Sequence, residues 1–412
     1  MQPFYFMLSV WGRAYCDFLL RLCIPSLLAG RNIPALPDGA HKFLIACPPE
    51  DWEYIAAHPV LAELRQYCEP VHLEIPAPTA QDIATLHMGK GHILATERCS
   101  ADGAYGVALT PDLVLSDGTV EALVRSASSG KEIVLVAALR FAEEPLLEQL
   151  SEMGIWTDAS PLTVSLTGRQ LVSLGMAAMH PETAALDFDA ELLMHHSVLP
   201  ATLWRVPQDG GVVVHSLSWA PLLIDYAAIG DHDISTLQNW TMDGDYIFKN
   251  FGIPQHLEVC RDSDEMMIMS WGPSHTFVRN PYADLLRKLP GTRRLYNAAR
   301  VRMNVQAPEF DDLKRQCVLA PVRWHVSDID EHWLRVEERA ARIVRSPDRK
   351  DRVVLLALAE TQKQVDRLVV LCDFFRGKPY AQSIVHRKLA RLRGALPGPR
   401  APDSRPKREK AE

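Results

Sequence analysis

Short apolar runs alternate with helix-like segments over the first third of the chain. The runs are Phe4 to Val10, Lys42 to Cys47, Pro70 to Ile75, Gly106 to Leu109 and Glu132 to Ala138. The segments between them are long enough to hold a helix, and such a crossover returns the chain to the sheet in the same direction. The pattern therefore predicts an α/β fold with a mostly parallel twisted sheet flanked by helices.

The run Gly106 to Leu109 leads directly into a proline and an acid, Pro111 and Asp112. A near-continuous apolar run is typical of a strand that is buried on both faces. Pro111 cannot donate a ladder hydrogen bond, so strand pairing should end before it. Asp112 should then lie at the carboxyl edge of the sheet, where open α/β sheets bind ligands. We predict Asp112 as the centre of a ligand site; the alternative is that it only caps a turn.

The composition is that of an ordinary globular protein. The chain has 412 residues, of which 47% are hydrophobic, and a net charge of −7. This length allows a large core or two domains, and the negative charge argues against a general nucleic-acid binder. The eight cysteines form no Cys-x-x-Cys pair. Scattered single cysteines fit a reduced compartment, so we expect a cytoplasmic protein.

The two ends of the chain differ in character. The apolar N-terminus lacks a cationic start and is interrupted by Gly12, Arg13 and Asp17, and no apolar run reaches the roughly 18–20 residues of a membrane span. The last 22 residues, 391–412, hold seven Lys or Arg and three Asp or Glu, a net +4. We predict an α/β domain over 1–275, a helical region over 276–390 and a disordered basic tail over 391–412 that contacts anionic lipid or RNA weakly.

Acidic residues cluster in two further places. Asp243 and Asp245 form a D-x-D within Asp243 to Asn250, which we predict as strand material, and Asp262, Asp264 and Glu265 follow the run Leu257 to Arg261. Carboxylates spaced two apart share one side of a strand and can converge on a hard cation such as Mg²⁺ or Mn²⁺. The alternative for each cluster is a solvated turn.

Three basic or ionisable side chains are further candidates. His215 follows the apolar run Val212 to Val214 and is a candidate metal ligand or base. Lys90 and His92 lie late in a predicted helix, Thr79 to Thr96, and are candidates for contact with a pyrophosphate. A structural histidine and a surface lysine are the alternatives. The chain contains no G-x-G-x-x-G, Walker A or G-x-S-x-G motif, which removes the commonest dinucleotide, NTPase and hydrolase interpretations.

Several stretches resemble bacterial glycosyltransferase-like proteins of the GT-A type. WGRAYCDFLLRLCIPSLLAGRNIPAL resembles their opening, and Asp82 to His92 followed by GVALTPDLVLSDGTVEAL resembles their central segment. VHSLSWAPLLID, TMDGDYIFKNFG and VCRDSDEM resemble the later acidic segments. The resemblance spans about residues 1–275. Thr110 stands where many members of the family carry the first Asp of an Asp-x-Asp.

The resemblance implies a nucleotide-diphospho-sugar transferase that uses a divalent cation, Mn²⁺ or Mg²⁺, and transfers a sugar from a nucleotide-sugar donor to a glycan or other hydroxyl acceptor. Asp112 would bind the cation, and Asp243, Asp245 or His215 would complete its shell. One of the three acids at positions 262, 264 and 265 would be the acceptor base. A catalytically silent GT-A-like binding module and a metal-dependent phosphoester hydrolase are the competing interpretations.

Overall fold

The computed structural model describes residues 2–190, 199–252, 254–277, 292–305, 312–345 and 370–377, together with a few further positions between 357 and 385. The predicted tail, 391–412, and the helical pattern at 282–289 lie outside these residues. The chain divides into two compact units, residues 1–279 with 297–348, and residues 280–296 with 349–412. In the second unit, the described positions from 357 to 375 are helical, in agreement with a helix predicted between Arg352 and Phe375.

The strands of the described residues form three sheets. In chain order they are β1 Phe4–Ser9, β2 Lys42–Cys47, β3 Glu69–Glu74, β4 Tyr105–Ala108, β5 Leu113–Leu115, β6 Ile133–Ala137, β7 Arg140–Ala142, β8 Ala201–Val206, β9 Gly211–Ser216, β10 Trp219–Asp225, β11 Leu257–Val259, β12 Ile268–Gly272 and β13 Val322–Trp324.

The helices mostly follow the strands, as a parallel sheet requires. They are α1 Arg13–Phe18, α2 Ile24–Leu27, α3 Pro49–Ala57, α4 Pro59–Leu64, α5 Ala84–Asp102, α6 Thr119–Ser128, α7 Glu143–Glu152, α8 Gly168–Ala177, α9 Pro181–Ala184, α10 Gly244–Asn250, α11 Thr292–Val305, α12 Asp312–Leu319 and α13 Glu331–Arg345. A π-helical turn, Leu19–Cys23, joins α1 to α2. Among the described residues, none of the helices combines the length and apolarity needed to cross a membrane.

The main sheet has seven strands in the order β11-β6-β10-β4-β1-β2-β3. The strands β1 to β4 pair in parallel, which confirms the direction predicted from the helical crossovers. The strand β10 is antiparallel to both of its neighbours, β4 and β6, and β11 is parallel to β6. The predicted α/β class with a mostly parallel sheet flanked by helices is therefore confirmed.

Both faces of the sheet are covered, and β1 shows how. Phe4, Phe6 and Leu8 belong to one core cluster, whereas Tyr5 and Met7 belong to the other. Alternate side chains of a strand point to opposite faces, so this two-residue period explains why the whole strand is apolar. The first cluster includes side chains of α2, α4 and α6, and the second includes side chains of α5, α7 and α8.

Two three-stranded sheets accompany the main sheet, in the orders β5-β12-β7 and β13-β9-β8. The strand β13 pairs with β9, and residues 297–348 cluster with the first unit. The first unit thus includes residues on both sides of the predicted boundary near residue 275, and the predicted division into domains stays a prediction. Trp333 of α13, in the predicted helical region, is fully buried and belongs to the core that contains α5.

One predicted strand is wrong. Residues Asp243 to Asn250 form the helix α10, with Asp243 as its N-cap. The Asp243 side chain accepts a hydrogen bond from the Asp245 backbone N–H, 2.9 Å away. An aspartate that satisfies a free N–H of the first turn favours helix initiation over strand pairing.

Candidate functional site at the carboxyl edge of the sheet

The strands β1 and β4 mark a topological switch point. From β1 the sheet continues to β2 and β3 on one side, whereas β4 lies on the other side. In open α/β sheets, crossovers that leave such a point in opposite directions form a crevice beyond the carboxyl ends of these strands, and this is the edge at which ligands bind. The segments that border this crevice follow Ser9 and Ala108.

Asp112 lies at this edge. The chain leaves the main sheet at Ala108 and enters the second sheet at Leu113, so Asp112 is on the short link between the two sheets. Its side chain is partly buried, and burial raises the pKa of its carboxyl, while a hydrogen bond with Thr110 and the charge of Arg140 act in the opposite direction. The strand ends before Pro111, as predicted, and the cation-binding role of Asp112 stays a prediction.

Two further ionisable groups lie near Asp112. Burial and then the negative charge of Asp112 raise the pKa of Tyr15, whereas the pKa of Glu143 is raised by burial, then by the charge of Glu144 and after it by that of Asp112. Glu143 is the first residue of α7 and directly follows β7. Sequence reasoning missed Glu143, because nothing local distinguishes it from an ordinary acid in the first turn of a helix.

The segment after β1 carries an aromatic side chain, Trp11. Gly12 has a positive φ of 79°, and its N–H donates to a carboxylate oxygen of Asp51 at 3.0 Å. The half-buried ring of Trp11 packs edge-on against the ring of His87, with centroids 4.8 Å apart. His87 is 1% exposed, and its Nε2 has no hydrogen-bond partner among the described residues.

The two predicted pyrophosphate contacts, Lys90 and His92, have different surroundings. Lys90 is exposed, with its Nζ 3.5 Å from His87 Nδ1 and 3.7 Å from Asp82 Oδ1. His92 is buried, its Nδ1 accepts from the Met242 N–H at 3.1 Å, and burial lowers its pKa to about 4. Of the two, only Lys90 therefore has the charge and exposure that contact with a diphosphate requires.

His215 does not lie on the main sheet. It is in β9 of the third sheet, where it is 3% exposed. Its Nδ1 donates to the Val318 carbonyl at 2.8 Å, its ring packs edge-on against Trp204, and burial lowers its pKa to about 4. This is the environment of a neutral core histidine.

Asp243 and Asp245 likewise have partners of their own, that of Asp243 within α10 and that of Asp245 in α12. Asp243 caps α10, as described above, and burial raises its pKa. Asp245 forms an ion pair with Lys314 at 2.7 Å. Among the described residues, neither acid belongs to a group of three potential metal ligands with Asp112 or His215. The structure thus does not bring the four predicted metal ligands together.

The predicted catalytic acids Asp262 and Asp264 instead meet a histidine from elsewhere in the chain. His325 Nε2 lies 2.7 Å from Asp262 Oδ1 and 3.8 Å from Asp264 Oδ2. The ligand atoms of the three side chains all lie within 4.8 Å of one another, so this group could hold a metal ion. Sequence reasoning missed His325, because it is more than sixty positions away and no spacing motif connects it to the acids.

Cationic partners surround these acids. Arg169 binds both carboxylate oxygens of Asp264, at 2.8 to 3.1 Å, and the hydrogen bond with His325 lowers the pKa of Asp262. Glu265, the third predicted catalytic acid, lies 3.9 Å from Arg125, and burial raises its pKa.

No protein-family model matches this chain, and a search of curated proteins gives no significant match. The function is therefore inferred from the residues and their geometry.

Proposed function

We propose that the chain is a GT-A-like glycosyltransferase that binds a nucleotide-sugar donor in the crevice beyond β1 and β4 and transfers the sugar to a glycan or other hydroxyl acceptor. The observation that carries the proposal is the position of Asp112, on the link between two sheets at the switch point of a mostly parallel sheet. An acid at this edge is placed to hold a cation against the phosphates of a bound nucleotide.

The chemistry needs compensation for the charge of the departing diphosphate. Mg²⁺ or Mn²⁺ would supply it, with Asp112 as a protein ligand. Lys90, exposed on α5, is the cation of this chain that we assign to the phosphates. Trp11 would offer a flat apolar surface beside them, since its ring is held by His87.

The acceptor hydroxyl needs a base. Asp262 and Asp264 are poorly suited, because the hydrogen bond with His325 lowers the pKa of Asp262 and Arg169 occupies the carboxylate of Asp264. Glu143 is better suited, because burial raises its pKa, which makes its carboxylate a stronger base, and because its charge interacts with that of Asp112. We therefore assign the base to Glu143 in place of the three acids predicted from the sequence.

One observation favours the silent binding module as a second candidate. Thr110, in place of the first Asp of the family's Asp-x-Asp, hydrogen-bonds to Asp112 and leaves it as the single carboxylate of that motif. A module of this kind would bind a glycan without a nucleotide.

Isothermal titration of the purified chain with UDP and with UDP-sugars, in Mn²⁺ and again in EDTA, tests the proposal. Saturable binding that requires Mn²⁺ supports a transferase. Glycan binding with no nucleotide binding in either condition would replace it by the silent module, and turnover of a generic phosphoester would replace it by a hydrolase.

A further inference from the structure

The group formed by Asp262, Asp264 and His325 connects two separate segments of the first unit. The two acids lie between β11 and β12, whereas His325 directly follows β13. Backbone hydrogen bonds hold the segments side by side: Ser263 N–H donates to the Arg323 carbonyl at 2.9 Å, and Arg323 N–H donates to the Arg261 carbonyl at 2.8 Å. The three side chains are thus positioned by backbone pairing.

The imidazole of His325 has a fixed orientation. Its side chain is 3% exposed, and its Nδ1 donates to the Ser327 carbonyl at 2.7 Å. A carbonyl oxygen and a carboxylate oxygen can only accept, so Nδ1 donates to Ser327 and the Nε2–H is directed at the carboxylates, with Asp262 Oδ1 at 2.7 Å. A histidine that donates one ring N–H to a backbone carbonyl while presenting the other nitrogen is the usual arrangement of a metal ligand.

The loop that carries His325 is also held from its other side. Asp209, in the turn between β8 and β9, accepts from the backbone N–H groups of Val326 at 2.9 Å and Ser327 at 2.7 Å. The carbonyl that orients the imidazole is therefore itself fixed, which limits the movement that ligation requires.

The spacing of the donor atoms fits a small ion. Around a tetrahedral ion with bonds near 2.1 Å, ligand atoms are separated by roughly 3.4 Å. The distance between His325 Nε2 and Asp264 Oδ2 is 3.8 Å, and that between His325 Nε2 and Asp262 Oδ1 is 2.7 Å. A sub-ångström opening of the shorter contact would accommodate the ion.

We propose that Asp262, Asp264 and His325 form a binding site for a divalent transition-metal ion of the Zn²⁺ class, which cross-links the β11–β12 loop to the segment after β13. One imidazole nitrogen and two carboxylates suit Zn²⁺, whereas Mg²⁺ prefers oxygen ligands alone. The ion takes the place of the proton on His325 Nε2, which is released to solvent.

Arg169, which pairs with Asp264, has a second acidic partner. Arg169 is bidentate on Asp264, and its NH1 also lies 2.8 Å from Asp328 Oδ1. When Asp264 ligates the ion, the guanidinium keeps its pair with Asp328, so no charge is left without a partner. This site is separate from Asp112 and does not depend on the proposed glycosyl transfer.

Titration of the chelator-treated full chain with ZnCl₂, followed by calorimetry and by thermal unfolding, tests the proposal. We expect one Zn²⁺ per chain and a melting temperature higher by a few degrees. Asp264→Asn and His325→Gln should each weaken Zn²⁺ binding tenfold or more and abolish this rise. Asp312→Asn is the matched control, because Asp312 is an exposed acid paired with Arg315 at 3.0 Å.

Absence of Zn²⁺ binding by the wild-type chain, or equal affinity in both variants and the control, would overturn the proposal. If His325→Gln does not fold, Asp264→Asn decides alone, since its side chain is 43% exposed. Donor binding at Asp112 is measured with Mn²⁺ or EDTA and no Zn²⁺, so failure of the zinc site and failure of the transferase proposal are distinguishable.

Discussion

Burial determines which of the candidate side chains carry a charge. His92, in a predicted helix, was a candidate for contact with a pyrophosphate, and His215, after an apolar run, was a candidate metal ligand or base. Burial lowers the pKa of each to about 4. A neutral imidazole in a core cannot meet a diphosphate as a cation. The sequence indicates that a histidine is near an apolar run, but it does not indicate whether the ring is covered.

The buried histidines predict how stability depends on pH. The unfolded chain takes up protons near pH 6.5, whereas folded His92 does so only near its pKa of about 4. The free energy of unfolding should therefore fall between pH 6.5 and 4, by at most about 1.4 kcal/mol per pH unit for each such histidine. His92→Gln, which keeps an acceptor for the Met242 N–H, should show a shallower decline of melting temperature over this range. An equal decline in the variant and the wild type would contradict the prediction.

Asp102 has a lowered pKa that stabilises the folded chain instead of destabilising it. Its carboxylate accepts from the Tyr5 hydroxyl at 2.7 Å and from Lys42 and Arg98 at 2.9 Å each, and these bonds hold its pKa well below the usual value. A lowered acid pKa stabilises the fold above the unfolded pKa near 4, and the contribution is lost as the pH falls through the folded value.

Asp102→Asn should therefore lower the free energy of unfolding at pH 7 by about 1 kcal/mol. The effect is this small because the Asp102 side chain is 32% exposed, so solvent screens its charge. Denaturant unfolding at pH 7 and at progressively lower pH measures the difference, which should shrink below pH 4. Asp38→Asn, in an exposed turn, is the control. A difference that stays constant down to strongly acid pH would argue against this role.

At the scale of elements, α5 packs so closely against the sheet that one position of the helix, Gly91, has no room for a side chain. A Cβ at Gly91 would lie 2.2 Å from Ser9 Oγ and 2.6 Å from Ala46 Cβ. Real Cβ atoms do not approach so closely, so a side chain there would push α5 away from β1 and β2. This helix carries Lys90, so its distance from the sheet also sets the position of that side chain.

Gly91→Ala should lower the free energy of unfolding by about 2 kcal/mol, because overpacking outweighs the better helix propensity of alanine. Gly30→Ala is the matched control, since no atom lies within 4 Å of its Cβ position. Thermal unfolding of the two variants measures the difference. Equal melting temperatures for Gly91→Ala and the wild type would contradict the close packing of α5 against β1 and β2.

Patterns within short stretches of sequence predicted β1 to β4, the strands that follow one another along the chain. The first four strands and their parallel order followed from apolar runs and crossover lengths. The strand β10 was not predicted, because its place between β4 and β6 depends on pairing with residues 82 or more positions away. The helix α10 was mistaken for a strand, because the capping role of Asp243 was not recognised.

At the scale of the whole molecule, the candidate site follows from topology. Asp112 was predicted from one strand end, and the sheet places it at the switch point. Glu143 and His325 could not be predicted, since each reaches its cluster only through sheets that join distant segments. The four predicted metal ligands form no group at ligation distance among the described residues: His215 is on β9 of the third sheet, and Asp243 and Asp245 begin the helix α10.

The most direct test of the central claim is the affinity of Asp112→Asn for a nucleotide-sugar in Mn²⁺, measured by calorimetry beside wild type and Asp38→Asn. Since burial raises the pKa of Asp112, the amide should leave the melting temperature nearly unchanged. We predict that Asp112→Asn loses Mn²⁺-dependent donor binding while Asp38→Asn retains it. Normal donor binding by a folded Asp112→Asn would contradict the placement of the donor and its cation beyond the carboxyl ends of β1 and β4.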